Sequence, residues 1–198
     1  MRVLAVAVAI GALLLASCAT SDLAQGIKSH ERNDYPTAVN AFRRAAANGN
    51  AEAQRRLAFM YYHGEGVAQD NKQAVTLFEQ AAEAGDAESA SNLARMYEFG
   101  MGVGQDDSRA AEWYRKAAEL GEPSSQYRLS AMYYQAQGVT RDCAEAAKWW
   151  TLAMAHGGEW TERIRASVKS VESKLTEEEI TEGKRRAAEW LKDHQARK

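Results

Sequence analysis

Residues 51–85 read AEAQRRLAFMYYHGEGVAQDNKQAVTLFEQAAEAG, and this stretch decides the fold. At its centre, Tyr61–Asp70 carries a Gly-x-Gly run just ahead of a helical pattern. Such a run is either a loop that cradles phosphate or a turn between two helices. Before it, Ala53, Leu57, Met60 and Tyr61 fall at i, i+4, i+7 and i+8; after it, Ala74, Leu77, Phe78, Ala81 and Ala82 follow the same rule. Each set is one apolar stripe on one helix. A dinucleotide loop follows a strand, and a Walker loop needs Gly-Lys-Ser/Thr. Neither context is present. The stretch is therefore a helix, a turn and a second helix.

Working outward, the chain falls onto itself when shifted by 36 residues. Gly49, Gly85, Gly121 and Gly157 share that step, as do Leu57, Leu93 and Leu129, and Met60, Met96 and Met132. So do Tyr61, Tyr97 and Tyr133, and Asp34, Asp70, Asp106 and Asp142. Bulky rings recur at Phe42, Phe78, Tyr114 and Trp150. The turn itself recurs as FGMGVGQD and AQGVTRD, with Val67, Val103 and Val139 as an apolar pin. Each aspartate is placed to cap the second helix, accepting a free backbone N–H. The spacings Asp70/Gln73, Asp142/Glu145 and Thr176/Glu179 match a capping box. Each glycine after the second helix sits where a left-handed residue is needed. The first hairpin has a tighter turn, ERND, and Pro36 in the first turn of its second helix. After Gly157 the register is expected to decay. Two charged helices then supply the polar outer face that ends a stack, the first with Ile164, Val168, Val171 and Leu175 on one face.

The N-terminus is a separate element. Arg2 precedes an apolar run from Val3 to Leu15. That is shorter than the roughly 20 residues of a spanning helix and within the ~7–15 of an export signal. It ends in Leu15-Ala16-Ser17-Cys18, which resembles the lipobox of bacterial lipoproteins. The resemblance implies cleavage before Cys18, acylation of its thiol and, with Ala19 following, retention at the outer membrane facing the periplasm. Ordinary cleavage leaving a free thiol is the alternative.

The pattern Ala-x-Ala-x-x-x-Leu-x-x-Met-Tyr-x-x-Gly-x-Gly-Val-x-x-Asp, then Ala-x-x-x-aromatic-x-x-Ala-Ala-x-x-Gly, resembles the Sel1-like repeat, a relative of the tetratricopeptide repeat. Residues 51–86 and 87–122 match it well. Residues 123–158 depart at Pro123 and at Ala136, which stands where the first turn glycine belongs. The resemblance implies an all-α fold: an α/α right-handed superhelical solenoid of helix-turn-helix repeats. Residues 1–17 are then the signal, 18–50 a lipidated N-terminus with a tetratricopeptide-like hairpin, and 159–198 a C-terminal capping helix pair. It also implies a non-catalytic scaffold for a protein or peptide partner, monomeric and lipid-anchored in the envelope. The other reading is an envelope enzyme or its regulator, acting for example on peptidoglycan-processing proteins.

The remaining residues fit the scaffold better. Net charge is −2 and pI about 6.1, with no basic stripe for nucleic acid. His30, His63, His156 and His194 form no zinc motif, and no cofactor or metal site is expected. Cys143 reads as a surface or edge thiol, and of the pair Trp149-Trp150 the second is expected in the core. First-helix positions that differ between repeats are free for recognition. They are Gln54/Ala90/Gln126, Arg55/Ser91/Tyr127, Arg56/Asn92/Arg128, Ala58/Ala94/Ser130 and Tyr62/Glu98/Tyr134. By the resemblance these first helices line the concave face. Tyr62, Asn92, Tyr127, Arg128 and Tyr134 are the candidate partner contacts, since Tyr and Arg dominate binding hot spots.

Overall fold

The computed structural model describes residues 21–195; the signal segment and Cys18 lie outside the described residues. Residues 21–31 form α1. It is followed by α2 (Tyr35–Ala47), α3 (Ala51–His63), α4 (Asn71–Glu83), α5 (Ala87–Phe99), α6 (Asp107–Glu119), α7 (Pro123–Gln135), α8 (Cys143–Ala155), α9 (Gly158–Glu172) and α10 (Glu177–Gln195). No strand occurs among the described residues. The architecture is all-α, of the helix-turn-helix solenoid class.

The aspartate caps form as the sequence requires. Asp70 Oδ1 accepts from the N–H of Lys72 and Gln73 at 3.0 and 3.1 Å; Asp106 Oδ1 accepts from Arg109 and Asp142 Oδ1 from Glu145. Each such cap contributes about 1 kcal/mol. The return half of the capping box does not form at Asp70 or Asp142. Their own N–H groups already donate to the carbonyls of Tyr61 and Tyr133, at 2.9 and 3.3 Å. Only Thr176 and Glu179 make the full reciprocal pair. A second set of caps escaped the sequence reading. Asn50, Asp86 and Glu122, again one step apart, accept from Ala53, Ser89 and Ser125 N–H and open the first helices.

The turn glycines explain the constant step. A Cβ at Gly66 would lie 2.7 Å from the backbone carbon of Tyr35; at Gly102 it would lie 2.5 Å from Asn71 O, and at Gly138, 2.1 Å from Asp107 O. All three have positive φ. The loop thus rests directly on the first residue of the preceding second helix, and no other side chain fits. Two residues before Gly138, Ala136 adopts φ 58° with no glycine to relieve it.

The described chain packs as two compact units, dividing at Ser89–Ala90 within α5, with Met101–Val103 belonging to the first. The first unit is built on Ala38, Val39, Phe42, Ala45, Ala53, Leu57 and Met60, with Leu23, Ile27, Tyr61 and Val67 packed around them. Tyr61, read as a core residue, is half-buried, its hydroxyl accepting from Arg43 at 2.8 Å. In the second unit α10 packs along α8, where a Cβ on Gly183 would stand 2.3 Å from that of Ala147. This approach buries Trp149 to 2% exposure, edge-on to Trp190 at 6.3 Å. Both tryptophans of the pair are therefore core, the first as fully as the second, which the sequence assigns there. The register also persists one helix longer than expected. Thr161 and Val168 of α9 stand one step after Ser125 and Met132, and all four are buried.

Arg186 ties the last helix down. It donates to Asp142 Oδ2 and Glu145 Oε2, each at 3.2 Å, and to Glu182 Oε1 at 2.9 Å. Burial alone would raise the Asp142 pKa, but hydrogen bonds from Glu145 N–H and Arg186 outweigh it and hold it below the ordinary value. Hydrogen bonds from Arg185 and Arg186 hold Glu182 down to about 2.

Two predictions follow from this packing. Ala136→Gly should raise the thermal midpoint, relieving left-handed strain of about 1 kcal/mol, whereas Gly138→Ala should lower it sharply. Equal midpoints for the three proteins would contradict the turn geometry. The depressed carboxylates stabilise the fold above the ordinary carboxylate pKa of about 4, and this contribution is lost as pH falls toward 2. Arg186→Met should cost at most about 1 kcal/mol at neutral pH and flatten the loss of stability between pH 4 and 2, measured by urea unfolding.

Candidate functional site

The face presented by the first helices is where sequence reasoning placed recognition. Two of its five variable sets prove structural. Gln54 and Gln126 are buried, and their Nε2 groups donate to Ala46 O and Ala118 O at 3.4 and 3.1 Å. Each amide is a second donor to a carbonyl in the last turn of the preceding helix, which also accepts from Gly49 or Gly121 N–H at 2.9 and 3.0 Å. Ala58, Ala94 and Ser130 are buried too. Variation at these positions reflects local packing.

The five candidate contacts separate. Tyr62, in the first unit, is half-buried; its hydroxyl donates to Met101 Sδ at 3.5 Å and its ring stands edge-on to His63. Asn92 is half-buried on α5 and already engaged. Arg128 is held by Glu98, the residue that replaces tyrosine at the Tyr62 position. Its Nε donates to Glu98 Oε2 at 3.1 Å and its Nη2 pairs with Oε1. The Tyr114 hydroxyl donates to the same carboxylate at 2.8 Å. Glu98 is 3% exposed. Burial raises the Tyr114 pKa well above its ordinary value and lowers that of Arg128. The Arg128 charge is thus largely offset within the fold.

Tyr127 and Tyr134 do come together. Two turns apart on α7, they line a cleft of about 490 Å³ with Trp150 of α8 as a neighbour and Ser167 and Ser170 of α9 opposite. Both tyrosines also pack against the cluster of Ala146, Ala147, Trp150 and Val168. The cleft lining is aromatic, aliphatic, hydroxyl and amide, with no charged side chain. Outside it, Arg141 stacks over the Tyr134 ring at 5.5 Å. The α9 wall was not anticipated. The signal for it was the persistence of the 36-residue step, which carries Ala131 onto Ser167 and Tyr134 onto Ser170.

Other chemistry is sparse among the described residues. No three His, Cys, Asp or Glu side chains gather as a metal site requires, and no described helix is long and apolar enough to cross a membrane. Cys143, expected at a surface or edge, is half-buried beside Arg141 and Glu179. Burial pushes its thiol pKa up, which makes it a poorer nucleophile. The Gly-x-Gly run serves the turn: Gly66 is pressed against Tyr35.

The Sel1 repeat model matches residues 51–86, 87–122 and 123–158. Comparison with curated proteins returned no match. Among solved structures, a Sel1 repeat protein from Oxalobacter formigenes is similar at 30% identity and TM-score 0.64, over 67% of this chain and 54% of its own. The protein c5321, a protective antigen of uropathogenic Escherichia coli with the same repeat fold, is similar at 26% identity and TM-score 0.56, over 81% of this chain and 43% of its own. The chain thus spans about half the length of these relatives.

Removing Glu98 should expose the cost of its network. Glu98→Ala leaves Arg128 and the buried Tyr114 hydroxyl without their acceptor, and a loss of about 1–3 kcal/mol is expected in urea unfolding. A change within experimental scatter would show that the network contributes nothing to the fold.

Proposed function

The chain belongs to the Sel1 repeat family, and we propose that it is a non-catalytic interaction scaffold, lipid-anchored in the bacterial envelope, whose partner enters the cleft between α7 and α9. Sel1 repeats generally mediate protein–protein contacts. The observation that carries the reading is the pairing of Tyr127 and Tyr134 in one cleft beside Trp150. Rigid aromatic groups in a partly desolvated recess are what binding hot spots are made of. The cleft lining holds no histidine, carboxylate, lysine or cysteine to activate its serine hydroxyls, which favours binding over catalysis there.

The anchor is supported by the sequence alone: Arg2, the apolar run to Leu15 and the tetrapeptide ending at Cys18. A pair of acyl chains is sufficient for stable anchoring, whereas one is marginal. The E. coli relative is a protective antigen, and an antigen of this kind is consistent with export. Outer-membrane retention and a periplasm-facing array complete the proposal.

One experiment tests both halves: chemical crosslinking in intact cells, followed by purification of the wild-type chain, Tyr127→Ala/Tyr134→Ala and Cys18→Ser. The double variant should remain folded by circular dichroism and lose its crosslinked partner. Cys18→Ser should accumulate as an uncleaved precursor lacking diacylglycerol by mass spectrometry. An unchanged crosslink pattern in the double variant rejects the cleft, and normal processing of Cys18→Ser rejects the anchor.

A further inference from the structure

The protein as a whole is slightly acidic, with a net charge of −2. The first-helix face of its second unit is the reverse. Arg95 on α5 stands one step before Ala131, which lines the cleft, and Arg163 on α9 stands one step after Tyr127. Both are exposed and make no ion pair among the described residues. Arg163, Ser167 and Ser170 are spaced i, i+4 and i+7, so they share one side of α9. Arg141 is exposed and stacked on Tyr134 at the other end of the cleft. Arg128 adds a further cation. Against these four stand three carboxylates: Glu98, buried and spent on Arg128 and Tyr114; Glu159, exposed one turn ahead of Arg163; and Glu179, near enough to Arg141 for its charge to be felt. Glu162, next to Arg163, is taken up by Arg165. The face therefore carries a small excess of positive charge, chiefly from Arg95 and Arg163, around an uncharged, aromatic recess.

We infer that this face takes an acidic peptide segment of a partner protein, with an apolar or aromatic side chain of the segment seated between Tyr127, Tyr134 and Trp150 and its carboxylates directed to Arg95, Arg141 and Arg163. This rests on the scaffold reading above and specifies the partner's chemistry. The recess reaches from Tyr127 to Tyr134, two turns or about 10 Å. That length accommodates about three extended residues, which is short for an acyl chain. Its wall of Ser167, Ser170 and Gln135 offers donors and acceptors that match peptide groups and would be left unpaired against hydrocarbon. Long-range attraction between the cations and an acidic segment raises the association rate, and the aromatic seat governs dissociation. Arg128 contributes little, because Glu98 already offsets it.

The test uses the purified full chain and fluorescein-labelled peptides read by anisotropy: Glu-Glu-Phe-Glu-Glu, Glu-Glu-Ala-Glu-Glu and Lys-Lys-Phe-Lys-Lys, with phosphatidylglycerol vesicles as competitor. The first peptide should bind best, the alanine version about tenfold more weakly, and the lysine version not at all. Raising salt from low to high should weaken binding several-fold, since exposed charges are screened over about 10 Å at 0.1 M. The pair Arg95→Gln/Arg163→Gln should weaken it without changing the thermal midpoint, and Tyr134→Ala should weaken it in a chain still folded by circular dichroism. Three results overturn the inference: no binding of the acidic aromatic peptide up to millimolar concentration, equal binding of the lysine peptide, or vesicles that bind and displace it. The in-cell crosslink separates this inference from the scaffold reading. A partner lost in Tyr127→Ala/Tyr134→Ala but kept in Arg95→Gln/Arg163→Gln overturns only the charge argument; a partner kept in both overturns the cleft as well.

Discussion

The structure depends on a backbone-to-backbone contact. In each hairpin from α3 to α8 one glycine of the long turn lies against the first residue of the preceding second helix: Gly66 on Tyr35, Gly102 on Asn71, Gly138 on Asp107. Nothing larger than hydrogen fits at these approaches, and positive φ independently disfavours other residues. Because the contact is made by backbone, it is indifferent to side-chain identity at the residue it touches. Tyr35, Asn71 and Asp107 have nothing in common, yet they serve the same purpose. The constant step of 36 residues follows from this geometry. An insertion in the turn would lift the glycine off its support and shift every later stripe.

A fixed step makes equivalent positions comparable within one chain, and it separates scaffold from surface. Small residues at Ala38, Ala74, Ala110 and Ala146 are fully buried, which lets helices approach as closely as the glycine contact demands. The rings at Phe42, Phe78, Tyr114 and Trp150 then fill the remaining volume, each burial contributing about 1.5–3 kcal/mol. Tyr114 carries a hydroxyl into that position. Glu98 is the compensating acceptor, and Arg128 in turn compensates Glu98. One polar atom in a core position has thereby recruited two further residues from the first-helix face, a cost of satisfying buried polar groups.

Much of this was legible from the chain alone. The helices, their turns and the aspartate caps follow from local rules that involve neighbours within a few residues. What failed was everything set by contacts across the step. Gln54 and Gln126 look like free surface, because nothing in the helical stripe indicates that their amides turn inward to the carbonyls of Ala46 and Ala118. Trp149 looks half exposed until Gly183 brings α10 onto α8. The α9 wall looks like a departure from the pattern, because Arg165 interrupts the stripe and Ile164 moves in beside it. Composition hid that helix; the buried pair Thr161 and Val168 reveal it.

The position of the cleft follows from the same departure. Where successive first helices carry large residues at the Tyr62 position, the space between them is filled or spoken for, as it is by Glu98 on α5. On α9 that position is Ser170, and the cleft-lining positions one turn before it hold Ala166 and Ser167. Small side chains on one wall, opposite Tyr127 and Tyr134 on the other, leave a recess. Larger apolar side chains on that wall would bury more surface and add to stability. An open, aromatic, uncharged recess instead leaves that surface in water, where a partner's side chain could cover it.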